Sequence, residues 1–147
     1  MLSQKTRYAL KALTALAGLD PGECVSAASI AAQCNIPPKF LEAILAEFTR
    51  HGLVWGQRGR RGGYQLGKKP ADITFGSVVR LMQGPLALVP CASQTRYRRC
   101  EDCADEGTCE IRTLFKRVRD STARILDQYT LADSVHRTRA NRTRRSR

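Results

Sequence analysis

The stretch from Ser26 to Leu66, SAASIAAQCNIPPKFLEAILAEFTRHGLVWGQRGRRGGYQL, decides the fold. Ser26 is a natural N-cap, because its hydroxyl satisfies a backbone N–H of a first helical turn. A short helix follows to Cys34, with Ile30 and Ala31 facing inward and Asn35 ending it. Ile36-Pro37-Pro38 breaks the chain and restarts it, since proline suits the first turn of a helix. From Pro38 to His51, Leu41, Ile44, Leu45 and Phe48 fall at i, i+3, i+4 and i+7, one face of a further helix that Gly52 stops. This is a helix-turn-helix pattern. Leu53-Val54-Trp55 and Tyr64-Gln65-Leu66 are β-prone runs. Between them, residues 56–63 hold four glycines and three arginines. The pattern predicts a β-hairpin with a cationic tip, placed as a wing behind a recognition helix.

Outward from this stretch the chain is helical. Residues 3–18 carry Ala9, Leu13, Leu16 and Ala17 on one stripe, with Ser3 or Thr6 as cap and Asp20-Pro21-Gly22 as stop. A helix is expected from Asp72 to Gln83, with Ile73, Val78, Val79 and Met82 as apolar contacts and Gly84-Pro85 ending it. Leu86-Ala87-Leu88-Val89-Pro90 leads into Cys91. After Cys109, Ile111, Leu114, Phe115, Val118, Thr122, Ile125 and Tyr129 recur at three- and four-residue steps. Arg112, Lys116, Arg117, Arg119, Asp120 and Arg124 take the opposite face of that long amphipathic helix. Little else in the chain is left to bury its stripe, so a second copy is the expected partner, giving a two-fold homodimer.

The fold class that follows is mainly α with a small β-hairpin: a winged helix-turn-helix domain plus a long C-terminal dimerisation helix. The expected divisions are 1–84 for the DNA-binding domain, 85–110 for a cysteine-bearing sensor loop, 111–132 for the dimerisation helix and 133–147 for a disordered basic tail.

Composition agrees. A chain of 147 residues with 42% hydrophobic and 26% charged residues is an ordinary globular domain with an appendage. No apolar run approaches the roughly 18 residues that span a membrane, and no export signal core opens the chain. A cytoplasmic location without a membrane partner is expected. The net charge is +12, and the six arginines of residues 136–147 supply half of it. Such a balance points to a polyanion, and double-stranded DNA is the expected one. With two histidines, no evident nucleophile pair and no nucleotide-binding fingerprint, an enzyme is not expected.

The candidate DNA contacts are Ser26, Pro38, Lys39, Phe40, Glu42, Ala43 and Arg50 on the helix-turn-helix, with Arg58, Arg60, Arg61, Gly62 and Tyr64 on the wing. Residues near the start of a recognition helix meet base edges, and a glutamate there can accept from a cytosine amino group. Arginines on the wing suit phosphates or a narrow minor groove.

The second candidate site is the cysteine loop, with the spacing Cys91-x8-Cys100-x2-Cys103-x5-Cys109. Thiolates hold zinc or an iron–sulfur cluster, and in a reducing compartment clustered cysteines are free, metal-bound or redox-active rather than structural disulfides. Only Cys100 and Cys103 form a close pair, so the zinc pattern is weak. Glu101, Asp102, Asp105 and Glu106 disfavour a reactive thiolate, which argues against an oxidoreductase. Cys24 and Cys34 are read as core residues.

The chain resembles the Rrf2 family of bacterial winged-helix transcription regulators. The resemblance rests on Lys5-Thr6-Arg7-Tyr8-Ala9-Leu10, Ile30-Ala31, Leu41-Glu42, Gly52-Leu53-Val54, Arg58-Gly59, Gly62-Gly63-Tyr64-Gln65-Leu66 and Cys103-x5-Cys109, and covers about residues 1–130. It implies a homodimer on a palindromic promoter site, with Glu42 reading a base and Arg58 making a wing contact. In several members three cysteines of this loop hold an iron–sulfur cluster that tunes DNA binding. Carried over, these are Cys91, Cys103 and Cys109. Three departures stand out. The Cys91–Cys103 separation is long, Cys100 is extra, and Arg112 and Arg7 stand where members place a histidine or an aspartate ligand. Cys100 is therefore the expected fourth ligand, and the cluster is of 2Fe–2S or 4Fe–4S type. The reading is a DNA-binding regulator, a repressor, controlled by that cluster. The alternatives are a cluster-free or zinc-bound regulator of the same fold, or a thiol-based protein-interaction module.

Overall fold

A computed structural model describes residues 2–137. Its elements are α1 (Gln4–Ala17), α2 (Ala27–Cys34), α3 (Pro38–Arg50), β1 (Val54–Gln57), β2 (Gly63–Leu66), α4 (Phe75–Gln83) and α5 (Glu110–Gln128), with 3-10 turns at Pro70–Asp72 and Pro90–Ala92. Residues 131–137 are helical as well.

Local chemistry sets the helix boundaries. Ser3 caps α1 and Ser26 caps α2, each accepting from the backbone N–H three residues on. Asn35 ends α2 in the left-handed conformation, at φ 51. Pro38 occupies the first position of α3, where its missing N–H costs nothing. The helix expected from Asp72 begins later, at Phe75. Thr74 takes the cap by accepting from Ser77 N–H, and Pro70–Asp72 forms a separate turn.

The core gathers Ala9, Ala12, Leu13 and Leu16 of α1, Ile30 and Ala31 of α2, and Leu41, Ile44, Leu45 and Phe48 of α3. Leu53, Val54, Ile73, Val78 and Leu131 complete it. The hairpin pairs Val54 with Leu66 and Gln57 with Gly63 in antiparallel register. Its second strand is fastened to the entrance of α2, because Val25 and Tyr64 exchange both backbone hydrogen bonds, at 3.1 and 2.8 Å. Gly63 makes that approach possible. It sits at φ 146, and a Cβ there would lie 2.5 Å from the Val25 carbonyl oxygen.

The C-terminal region departs from expectation in two ways. Leu131 is fully buried in the core, and Thr130 bridges Thr74, so the end of α5 is pinned to the start of α4. Phe75 N–H donates to Tyr129 O, and Leu131 N–H donates to Ile73 O. The segment expected to be a tail from residue 133 is helical through residue 137, because Leu131 anchors it and Thr130 and Asp133 cap it reciprocally. Residues 138–147, the remainder of that expected tail, lie outside the described residues.

Candidate DNA-reading surface and cysteine loop

The start of α3 presents Lys39, Phe40, Glu42 and Ala43 to solvent, while Leu41, Ile44 and Leu45 turn inward. Phe40 is 49% exposed, large for an aromatic ring, and rests edge-on against Tyr8 of α1 at 6.1 Å. Tyr8 in turn accepts from Gln4 Nε2 at 2.7 Å. The N-terminal half of α1 thus buttresses the reading end of α3, a contact that helical periodicity alone does not show. Arg50 lies at the opposite end of α3, roughly 16 Å from Lys39 along the axis. It pairs there with Glu47 at 2.6 Å.

The wing residues divide. Arg58, Arg60 and Arg61 are exposed at the tip, and among the described residues none has a carboxylate partner within salt-bridge range. Gly62 and Tyr64 do a different job. A Cβ on Gly62 would lie 2.3 Å from the Gln57 carbonyl oxygen, so glycine there closes the turn. Tyr64 packs against the core and covers Gly56. Ser26 sits beside the wing root, its hydroxyl capping α2 and contacting Ser29 at 2.9 Å. The arrangement is an exposed helix start next to an unpaired cationic hairpin tip.

The four loop thiols sit in different local settings. Cys91 is buried in the Pro90–Ala92 turn. The neighbouring Cys91 thiol raises the Cys100 thiol pKa, ahead of burial and of the nearby Asp102 and Cys103. Cys109 is engaged by the helix that follows it. Its sulfur caps α5 by accepting from Arg112 N–H at 3.4 Å. The polypeptide holds the loop through its own contacts. Arg99 donates to the carbonyls of Cys103 and Ala104, and Tyr97 donates to Glu106, which raises the tyrosine pKa. Asp105 accepts from Gly107 N–H and Thr108 Oγ1, which lowers its pKa.

The donor chemistry of four thiols fits an iron–sulfur cluster or zinc. The spatial arrangement does not. Among the described residues no group of three or more histidine, cysteine, aspartate or glutamate side chains is placed to hold a metal ion.

Three further expectations are corrected. Cys24 and Cys34 are half-buried: Cys34 packs against the core cluster, whereas Cys24 is not part of it. The Cys24 thiol faces Gln57 of β1 at 3.8 Å, and the Cys34 thiol donates to Lys11 O at 3.7 Å. Burial raises the Cys34 pKa and Lys11 opposes it. Tyr129 leaves the apolar stripe of α5, because the helix ends at Gln128 and the ring packs on Phe75 at 5.0 Å. Arg112 and Arg119, expected on the polar outer face, turn inward onto the carbonyls of Cys91 and Ala92. The stripe itself is open, with Ile111 at 62% and Ile125 at 68% exposure.

An open recognition-helix start beside a cationic wing defines a winged helix-turn-helix protein. The chain belongs to the Rrf2 family of transcriptional regulators, whose profile, described as "Iron-dependent Transcriptional regulator", matches residues 2–137. It is 41% identical over 138 residues to an Rrf2-like HTH-type transcriptional regulator of Rhodobacter capsulatus, covering 92% of each chain. It is 36% identical over 132 residues to the HTH-type transcriptional regulator NsrR of Geobacillus kaustophilus, covering 90% of this chain and 87% of that one. Among solved structures it superposes on CymR, described as the global cysteine regulator of B. subtilis, with a TM-score of 0.77 and 33% identity. That match covers 92% of this chain and 96% of the other. No described helix is long and apolar enough to cross a membrane.

Proposed function

We propose that the chain is a homodimeric repressor that reads a palindromic promoter through Glu42 and its neighbours on α3 and grips the phosphates through Arg58, Arg60 and Arg61. We further propose that the Cys91–Cys109 loop controls DNA affinity by taking an iron–sulfur cluster. The observation that carries the DNA-binding part is the open start of α3 beside three unpaired wing arginines. The family description as iron-dependent and the four loop thiols support the iron part. Loading needs the loop thiols to converge, since no three donors are gathered among the described residues.

That same separation favours a second reading, a cluster-free or zinc-bound regulator of this fold with a loop closed by protein contacts alone. Anaerobic purification of the full chain, followed by an absorption spectrum and by iron, sulfide and zinc analysis, separates the two. Stoichiometric iron and sulfide with visible absorption supports the cluster. A colourless protein, with one zinc per chain or with none, sinks it. A gel-shift titration on the promoter of its own gene tests the DNA-binding part, and absence of a shift at low salt overturns it in favour of a thiol-based interaction module.

A further inference from the structure

The 3-10 turn at Pro90–Ala92 ends in backbone carbonyls that its own short hydrogen-bonding pattern leaves without partners, as the last carbonyls of any helical turn are left. Two guanidinium groups from α5 meet them. Arg112 Nε donates to the Cys91 carbonyl at 3.2 Å, and Arg119 donates to the Ala92 carbonyl. The two arginines are seven residues apart, two turns of one helix face. The Arg119 side chain is only 11% exposed, so its placement is a burial, not a surface excursion. Its charge is balanced by Asp120 at 2.6 Å. Arg112 has a second role, because its backbone N–H donates to the Cys109 sulfur at 3.4 Å. One residue therefore touches both ends of the cysteine loop, Cys91 through its side chain and Cys109 through its main chain.

We propose that Arg112 and Arg119 are positioning residues of the cysteine loop, capping the carbonyl end of the Pro90–Ala92 turn so that Cys91 is held to α5 with or without a metal. The chemistry suits the task. Charge-assisted hydrogen bonds to a buried carbonyl are stronger than neutral ones, and losing the donor leaves that carbonyl unsatisfied. The opposite side of α5 carries the exposed residues Ile111, Leu114, Val118 and Ile125. A movement of the loop at Cys91 is thereby passed to the helix that bears this stripe. The significance of that link for regulation rests on the loop being the sensing site, but the positioning itself does not.

The test uses the full-length, metal-free, reduced protein and mass-spectrometric timing of iodoacetamide alkylation at each cysteine. In the R112Q/R119Q double variant the buried Cys91 should alkylate about a hundredfold faster, roughly tenfold for each of the two charge-assisted bonds lost. Cys24 and Cys34, which lie away from the turn, should keep their rates. The R112K/R119K variant, which retains charged donors, should recover part of the protection. An unchanged Cys91 rate overturns the proposal. So does an equal rise at Cys24, Cys34 and Cys91, which would mean that the arginines support the fold as a whole. A lysine variant as reactive as the glutamine one also overturns it. The outcome is independent of iron. A protein that never takes up iron can still show the protection, and one that binds iron with Cys91 unaffected by both variants keeps the sensing loop and loses the clamp.

Discussion

Glu42 stands one turn into α3, exposed, and forms no ion pair among the described residues, whereas Glu47 on the same helix pairs with both Arg50 and His51. A carboxylate without an intramolecular task at the reading end of a recognition helix is free to accept from a base edge. Glu42→Ala should cost about 1–3 kcal/mol of discrimination between the operator and a sequence altered at one position of each half-site, while non-specific affinity holds. Competitive gel shifts at one fixed salt concentration measure this. An unchanged operator preference would reduce Glu42 to a surface acid. Gly63 acts at the same scale through the backbone. At φ 146, with the Val25 carbonyl 2.5 Å from any added Cβ, Gly63→Ala should destabilise the fold by about 1–3 kcal/mol. Urea denaturation reads that loss, and the wing root beside Ser26 should loosen with it. The glycine-rich wing was legible in the sequence because glycine and arginine residues announce a turn and a polyanion. The division of labour within it was not. That Gly62 and Gly63 close the turn and admit Val25, and that Tyr64 packs inward, depends on a strand bridge to a residue 39 positions earlier.

At the scale of the element, α5 has two working faces. Its periodicity was readable, and the exposed Ile111, Leu114, Val118 and Ile125 lie where the three- and four-residue steps put them. The inward face was not readable, because its partners are non-periodic. The Cys91 and Ala92 carbonyls belong to a 3-10 turn about 20 residues upstream, and the third inward contact joins Asp127 to Arg80 of α4 in a two-pronged pair at 2.6 and 2.9 Å. Gly76 makes room for that pair, since a Cβ there would lie 1.9 Å from Asp127 Oδ1. The paired guanidinium lowers the Asp127 pKa, and the carboxylate raises that of Arg80. A carboxyl whose pKa is lower folded than unfolded stabilises the fold above its unfolded value, near 4, and that contribution disappears as pH falls through the folded value. Asp127→Asn should therefore lower the melting temperature at pH 7, and the deficit should shrink as pH falls below about 4 through the lowered pKa of the folded carboxyl. Thermal melts of both proteins from pH 7 downward check it, and a deficit that stays constant with pH would locate the effect in packing rather than charge. On the other face, Leu114→Glu should convert a dimer into a monomer by sedimentation analysis without lowering helix content. A dimer that persists would mean that the stripe is covered in some other way.

The whole molecule carries +12, and the cysteine loop adds four acids between Glu101 and Glu106 to an otherwise cationic chain. Gripping and reading are then separable by salt. Each phosphate contact releases condensed counterions, so the logarithm of the binding constant falls with the logarithm of salt concentration by roughly 0.9 per contact on duplex DNA. Replacing Arg58, Arg60 and Arg61 together with glutamine removes up to three such contacts per protomer. The slope should flatten by roughly 2–3 per protomer engaged, and affinity for operator and non-operator DNA should fall alike at low salt. Glu42→Ala should do the reverse, leaving the slope in place while operator preference collapses. Fluorescence anisotropy titrations of both variants over a salt series give both quantities from one data set. If the wing variant keeps its slope, the phosphate grip lies elsewhere on this basic surface, and the wing arginines are left with a base-reading or purely solvating part. If it loses slope and operator preference together, the wing also reads sequence through the minor groove, where a narrow A·T tract concentrates negative potential around an inserted arginine.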